Sequence, residues 1–131
     1  MFTTRRGLLI GAAALSAAGC TRPPATITTA DTDLTAALRA ARDLSEAAET
    51  LGYSDIAEDH RTHAATLERL LKPNVVEGGA GLDIGDDAAL AEAESEAGDE
   101  AHQACLTTEG DYAVVLGEIA ASRAAHAAVL A

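Results

Sequence analysis

The sequence predicts an all-α protein, a four-helix bundle that follows a short targeting segment. Four stretches of about 20 residues repeat apolar side chains three and four positions apart, which is the period of an amphipathic helix. Two short turns and one longer Gly-rich connection, between the second and third helices, separate these stretches. Outside short apolar runs in that connection, no stretch has the alternation of a strand. Short turns join antiparallel neighbours, so we expect an up-down-up-down bundle with a core of Ala and Leu.

Residues 1–19 have the features of a twin-arginine lipoprotein signal peptide. Arg5-Arg6 precedes a short apolar run that is below the roughly 20 residues needed to span a membrane. Small residues then lead to Cys20, which predicts lipidation of this cysteine. Ala17 stands where such processing boxes usually carry Leu. Cleavage by an ordinary peptidase after an alanine, or an uncleaved anchor, are therefore the alternatives.

Residues 20–32 predict a tether, because Pro23-Pro24 and several threonines favour extended chain. Acyl chains on Cys20 would hold the domain on the extracytoplasmic side of the cell membrane.

The negative charge of the chain argues against nucleic acids and anionic membranes as partners. Removing Arg5 and Arg6 from the nine basic residues leaves seven against 21 acidic ones, so the processed chain carries a net charge of −14. Such a surface argues against nucleic-acid binding and against electrostatic adhesion to anionic lipid. It also offers an acidic face to a basic protein partner.

The first helix is predicted from about Asp33 to Leu51, with Asp31 or Thr32 as its cap and Gly52 at its end. The apolar positions of this helix are Leu34, Ala37, Leu38, Ala41, Leu44, Ala48 and Leu51.

The second helix is predicted over Ile56–Leu70, between a Ser54 cap and a stop at Lys72-Pro73. Two histidines occupy positions where a bundle normally has Leu. The apolar stripe of this helix consists of Ile56, His60, His63, Leu67 and Leu70.

The third helix is predicted from about Asp87 to Leu106, with Asp86 as its cap. Its acidic residues, which include Glu94, are expected to form a solvated face. Its predicted core positions are Leu90, Ala93, Ala97, Ala101 and Ala104.

The fourth helix is predicted from about Asp111 to Leu130, and Arg123 is expected to be a surface ion-pair residue. Its predicted stripe consists of Tyr112, Val115, Ile119, Ser122, His126 and Val129.

An up-down-up-down order brings particular polar residues to the depth of the two histidines. Depth can be counted from the turns at Gly52 and Gly110, with a rise of about 1.5 Å per residue. The residues that share one depth are His60, His63, Glu100, His102 and Glu118. Imidazole and carboxylate suit zinc, iron or copper, and bundle interiors hold such sites, so this set is the predicted metal-ligand cluster. His126 falls about 10 Å lower, in another layer near Leu70 and the Glu92–Glu94 turn.

Other roles stay open for these side chains. The histidines could be core residues hydrogen-bonded to facing carboxylates or backbone, or they could sense pH. Once Cys20 is committed to the anchor, Cys105 is unpaired and is expected to be a small core residue. An intermolecular disulfide and a metal or redox role are the alternatives for Cys105.

Two stretches carry a family resemblance. AEDHRTHAATLERL and the later LGEIAASRAAHAAVL, within residues 33–131, resemble the ferritin-like lipoproteins of actinobacterial type, a family of uncharacterised function. The resemblance implies a ferritin-like four-helix bundle. It does not imply a di-iron centre, which needs Glu-x-x-His on two helices and a Glu on each of the other two. Here Arg123 stands three residues before His126, and His60 stands three before His63.

The sequence therefore favours a lipid-anchored extracytoplasmic bundle that serves as a binding or structural module, without a di-iron centre and with no cofactor expected. It has no nucleophile elbow, so no enzymatic reaction is assigned. The alternative is a metal-binding protein or metalloenzyme that uses His60, His63 and facing carboxylates. A third hypothesis is a subunit whose acidic face docks a basic protein.

Overall fold

The described part of the chain consists of four helices and their connections. The computed structural model describes residues 29–131, with side chains from Asp31 onward. The helices are α1 (Thr29–Leu51), α2 (Ser54–Leu71), α3 (Asp87–Thr107) and α4 (Asp111–Leu130). No strand occurs within this range, so the all-α, four-helix prediction is confirmed. The signal segment, Cys20 and the tether up to residue 28 lie outside the described residues.

The helix ends follow the predicted boundaries except at two amino termini. Helix α1 begins at Thr29 rather than Asp33, so Asp31 lies in its first turn instead of capping it. The last residues assigned to the tether are therefore helical. Ser54 is the first residue of α2, and the capping position before it is Tyr53, which makes no side-chain cap bond. The amino-terminal cap of α3 is the predicted one, since Asp86 accepts a hydrogen bond from the backbone N–H of Ala89 at 2.8 Å.

The order of the helices differs from the prediction. Helices α1 and α2 form one antiparallel hairpin, and α3 and α4 form another. Ile84, just before α3, packs against a group of buried residues that includes Ile56 and Ala57 at the start of α2. At the opposite end, Thr108 after α3 donates a hydrogen bond to Asp33 near the start of α1 at 3.4 Å. Helix α3 thus runs parallel to α2, and the order is up-down-down-up rather than up-down-up-down.

Residues 72–86 make this order feasible because they cross the bundle lengthwise. An extended chain of this length reaches about 50 Å, whereas α2 rises only about 27 Å. The crossing segment is held to α1 where Arg42 donates to the carbonyl of Val76 at 2.8 Å. Gly79 then passes so close to Asp43 that a Cβ at this position would overlap the Asp43 carboxylate unless that side chain moved. Glycine at position 79 therefore permits the close approach.

Two apolar clusters fill the two ends of the bundle. The cluster at the end where α1 begins is called the leucine cluster here, and its large members are Leu34, Leu38, Leu67, Leu71, Leu116 and Ile119. The cluster at the other end combines smaller residues with a few large ones, and it contains Leu44, Ala47, Ala48, Ile56, Ala57, Leu90 and Ala97.

Helix α4 joins both ends of the core. Among the described residues it is the one helix whose length and apolar composition would suffice to cross a membrane. In the bundle it packs along α3 and buries Leu116, Ile119 and Ala120.

Candidate metal centre

A layer of buried polar side chains separates the two apolar clusters. It consists of His60, Glu94, Arg123 and His126, and is called the polar layer below. His60 and Glu94 have no exposed surface, Arg123 is 1% exposed and His126 is 8% exposed. Charged groups at such depth are rare unless they are paired or bind an ion, so this layer is where chemistry is to be expected.

His60 and Glu94 form the centre of the polar layer. Helices α2 and α3 run parallel, so a residue in the second turn of α2 is level with a residue in the second turn of α3. Nε2 of His60 lies 2.6 Å from Oε1 of Glu94, a short hydrogen bond between two fully buried groups. Nδ1 of His60 and Oε2 of Glu94 are buried without a hydrogen-bond partner.

His126 reaches the same carboxylate from α4. Its Nδ1 lies 3.5 Å from Oε1 of Glu94, and its ring centroid lies 5.1 Å from that of His60. Its other nitrogen, Nε2, lies 3.2 Å from Oδ2 of Asp59, a side chain at the solvent edge of the layer. The imidazole of His126 therefore spans the distance between a buried carboxylate and an exposed one.

Arg123 supplies a fixed positive charge beside this group. Its guanidinium donates to the carbonyl of Ala97 on α3 and to that of Ala37 on α1, each at 3.0 Å. Gly98 makes room for it, since a Cβ there would lie only 3.3 Å from the Cβ of Arg123. Burial lowers the pKa of Arg123 to about 10, against the opposing effect of the Glu94 carboxylate. The side chain therefore stays charged at neutral pH.

His63 lies on the rim of the layer, one turn after His60 on α2. Its ring centroid is 6.3 Å from that of His60, and its Nδ1 is buried without a hydrogen-bond partner. Partial burial lowers its pKa, and the positive charge that His60 carries when protonated lowers it further. His63 is thus kept neutral close to the polar layer.

Three of these side chains are close enough to share one ion. One donor atom from each of His60, Glu94 and His126 lies within 4.8 Å of the others. Zinc binds imidazole nitrogen and carboxylate oxygen at about 2.0 to 2.2 Å, which puts neighbouring donor atoms roughly 3.0 to 3.5 Å apart. The 2.6 Å contact between His60 and Glu94 would have to open by less than about 1 Å. Two histidines and one carboxylate form a donor set that transition metals accept.

The predicted ligands divide into two groups. His60 lies in the centre and His63 lies at its rim. Glu100, His102 and Glu118 are exposed, and the structure does not bring them to His60. Glu94, His126 and Asp59 take their places. This change of ligands follows from the helix order. Because α3 runs parallel to α2, the turns at Gly52 and Gly110 lie at opposite ends of the bundle. Counting depth from both turns therefore paired residues of α2 with residues of α3 and α4 that lie at different heights.

Three expectations about the burial of single residues are wrong. Val129, expected on the apolar stripe of α4, is 77% exposed. Arg123, expected on the surface, is almost fully buried, and Glu94, expected on a solvated face, has no exposed surface. The spacing of Glu94 in the sequence already indicated that it would be buried. It stands four residues after Leu90 and three before Ala97, which is a core position of the heptad.

The prediction that His126 lies about 10 Å from His60, in another layer, is also wrong, because the two ring centroids are 5.1 Å apart. The part of that prediction that placed His126 near the Glu92–Glu94 turn is right, since its Nδ1 lies 3.5 Å from Oε1 of Glu94.

Comparisons with protein-family models, curated proteins and solved structures give no significant match for this chain. The chemistry of the polar layer therefore has to be inferred from its own geometry.

Proposed function

We propose that this chain is a metal-binding bundle protein that holds a single first-row transition-metal ion between His60, Glu94 and His126. The proposed setting is a ferritin-like domain, anchored through a lipid on Cys20 outside the cell. One lengthwise crossover between two helix hairpins is the connection that ferritin-like folds use, which supports that part of the proposal.

The observation that carries the proposal is the convergence of three donor side chains in a fully buried layer. Oε1 of Glu94 faces a nitrogen of each histidine, at 2.6 Å for His60 and 3.5 Å for His126. These donors come from three different helices, so the fold and not a local turn brings them together. Nitrogen and carboxylate donors suit zinc, iron or copper, whereas calcium and magnesium prefer oxygen alone.

The energetic cost of the layer supports a role beyond stability. Taking charged groups out of water costs several kcal/mol per ion in real proteins, and apolar replacements are often neutral or stabilising. The leucine cluster of the same bundle is filled by aliphatic side chains. A sequence selected for stability alone could have continued that packing through the level of His60.

One ion fits the layer better than two. A di-iron centre would need further carboxylates, including one from α1. The residues of α1 buried near this level are Ala41, Leu44 and Ser45, none of which has a carboxylate, and Arg123 bonds to the α1 backbone with its fixed positive charge. Three protein ligands would leave a further coordination position for water or a small ligand, as in catalytic rather than structural zinc sites.

A structural module is the competing function, and one contact favours it. The short bond between His60 and Glu94 already satisfies one atom of each without any metal. In that case the layer would serve only to fix the register of the four helices.

Metal titration separates these two functions. The full chain, purified in mild detergent and stripped with a chelator, is titrated with Co²⁺ and followed by visible absorption. Elemental analysis of the untreated protein then identifies the native metal. We expect one Co²⁺ per chain in the wild type, and loss of binding in the His60→Ala and His126→Ala variants.

His102→Ala is the matched control, because it removes an exposed histidine from α3 with the same substitution. It should bind Co²⁺ as the wild type does. Absence of binding in the wild type, or equal binding in His60→Ala and the wild type, would favour the structural module.

The anchor is tested separately by membrane fractionation. Cys20→Ala should move the protein from the membrane to the soluble fraction, whereas Cys105→Ala should leave it in the membrane. Retention of Cys20→Ala in the membrane would mean that another segment attaches the protein.

A further inference from the structure

Asp59 lies at the solvent edge of the polar layer, where it contacts one of the proposed ligands. Its side chain is 61% exposed, and its Oδ2 lies 3.2 Å from Nε2 of His126. An ionised carboxylate can only accept a hydrogen bond, so Nε2 of His126 must carry the hydrogen. Asp59 is therefore in position to choose the tautomer of His126.

That choice decides what the buried nitrogen of His126 can do. In a neutral imidazole with hydrogen on Nε2, Nδ1 has a free lone pair. This Nδ1 is buried without a hydrogen-bond partner, 3.5 Å from the carboxylate oxygen Oε1 of Glu94. Two acceptors then face each other, and a cation between them would relieve their repulsion. The opposite tautomer would place an N–H there and block a metal ion.

We propose that Asp59 is a positioning residue of the metal centre, which holds His126 as the Nε2–H tautomer so that Nδ1 becomes the ligand atom. This inference rests on the proposed function. Hydrogen-bonded carboxylates behind metal-ligating histidines fix the tautomer and orientation of the ring, and their loss weakens metal binding by about 10- to 100-fold.

The position of Asp59 in the chain supports this role. It directly precedes His60, so the same turn of α2 supplies both a proposed ligand and the group that orients another ligand on α4. Its high exposure keeps the carboxylate hydrated, which lets it act on His126 without the cost of burying a second charge.

The test compares Asp59→Ala, Asp59→Asn and the control Asp99→Ala, which removes an exposed carboxylate from α3. The full chain is titrated with Co²⁺ in mild detergent. We expect Asp59→Ala to bind about 10- to 100-fold more weakly than the wild type. Asp59→Asn should lie closer to the wild type, since its amide oxygen still accepts from Nε2–H. Asp99→Ala should bind normally.

A second measurement reads the tautomer directly in metal-free protein. Nitrogen-15 NMR of the His126 ring at mildly alkaline pH should give hydrogen on Nε2 in the wild type, and a mixture of tautomers in Asp59→Ala. A fold defect alone would not change the tautomer in this way.

The outcomes distinguish the two proposals. If the wild type binds no Co²⁺, the proposed function fails and this inference fails with it. If Asp59→Ala binds as tightly as the wild type, or if metal-free wild type has its hydrogen on Nδ1, the positioning role of Asp59 is overturned and the metal centre stands.

Discussion

The polar layer and the leucine cluster are neighbours in one bundle, yet the side chains that fill the space between the helices are polar in one and aliphatic in the other. The leucine cluster excludes water with aliphatic side chains, so each contact stabilises the fold directly. The polar layer buries a carboxylate, a guanidinium and two imidazoles, whose desolvation offsets much of what their contacts contribute. The difference indicates that the leucine cluster provides stability, and it supports the proposal that the polar layer is kept as a metal site.

The largest expected effect follows from removing the fixed positive charge. Arg123→Met keeps an unbranched apolar side chain but removes the guanidinium, so Glu94 stays buried without its cationic neighbour. Removing one member of a buried charged group costs about 3 to 5 kcal/mol, and we expect a loss in this range in urea unfolding at neutral pH. Arg39→Met, an exposed arginine of α1, should change stability by less than about 0.5 kcal/mol. A loss of that small size in Arg123→Met would show that Glu94 needs no counter-charge.

The next largest effect is the loss of stability expected when a side chain of the leucine cluster is shortened. Leu67 has no exposed surface, so Leu67→Ala removes buried methyl groups and leaves a cavity. Such changes cost about 2 to 5 kcal/mol, and we expect about 3 kcal/mol here with metal binding unaffected. Leu106→Ala is the matched control, since Leu106 is 66% exposed and should cost little. Weakened Co²⁺ binding in Leu67→Ala would contradict the separation of the two regions.

The sharpest comparison converts the polar layer into a second apolar one. The variant carries His60→Leu, Glu94→Met, Arg123→Met and His126→Leu together, which removes all four ionisable side chains of the polar layer at once. Buried charged groups replaced by apolar residues of similar volume often raise stability, by about 1 to 4 kcal/mol. We expect an increase within that range, measured by urea unfolding, together with complete loss of Co²⁺ binding.

The control for this variant leaves Arg123 in place and changes the other three residues. It should be less stable than the fourfold variant, because the buried guanidinium then loses Glu94, the carboxylate that acts on it most strongly. A fourfold variant less stable than the wild type would mean that the polar layer stabilises the fold, as a structural module requires.

The sequence predicted the helices well and their order poorly, for separate physical reasons. Helix ends depend on local signals. The cap at Asp86 and the stop at Lys72-Pro73 are found at the helix boundaries where the sequence predicted them. The direction of α3 depends on whether residues 72–86 turn back or run lengthwise. Those residues are long enough to run lengthwise, and no local signal in them favours one course.

The partners of His60 could not be predicted without that direction. The depth of a residue along its own helix is easy to count. Comparing the depths of residues on two helices also requires knowing at which end of the bundle each helix begins. Alanine richness added a second difficulty, because α3 has alanine on several faces and its core side cannot be located by hydrophobic contrast. Glu94 was therefore assigned to the solvated face although its spacing from Leu90 fits the core.

The smallest expected effect concerns His63, which lies between the polar layer and solvent. Burial lowers its pKa most, and the charges of His60, Arg123 and His126 lower it further, against the raising effect of Asp59. In the unfolded chain this histidine titrates near its ordinary pKa of 6.5. Below that pH the unfolded state therefore binds more protons at this position than the folded state does. Its contribution to stability is present above about pH 6.5 and is lost as the pH falls towards the folded pKa.

His63→Gln should make stability less sensitive to acid, because the neutral amide has no proton to gain. We expect the wild type to lose more stability than His63→Gln between about pH 7 and pH 5, by a small amount since the side chain is partly exposed. The measurement is the urea midpoint of metal-free protein across this range. His102→Gln, an exposed histidine on α3, should follow the wild-type curve. Equal flattening by both variants would locate the acid sensitivity in overall charge rather than at the rim of the polar layer.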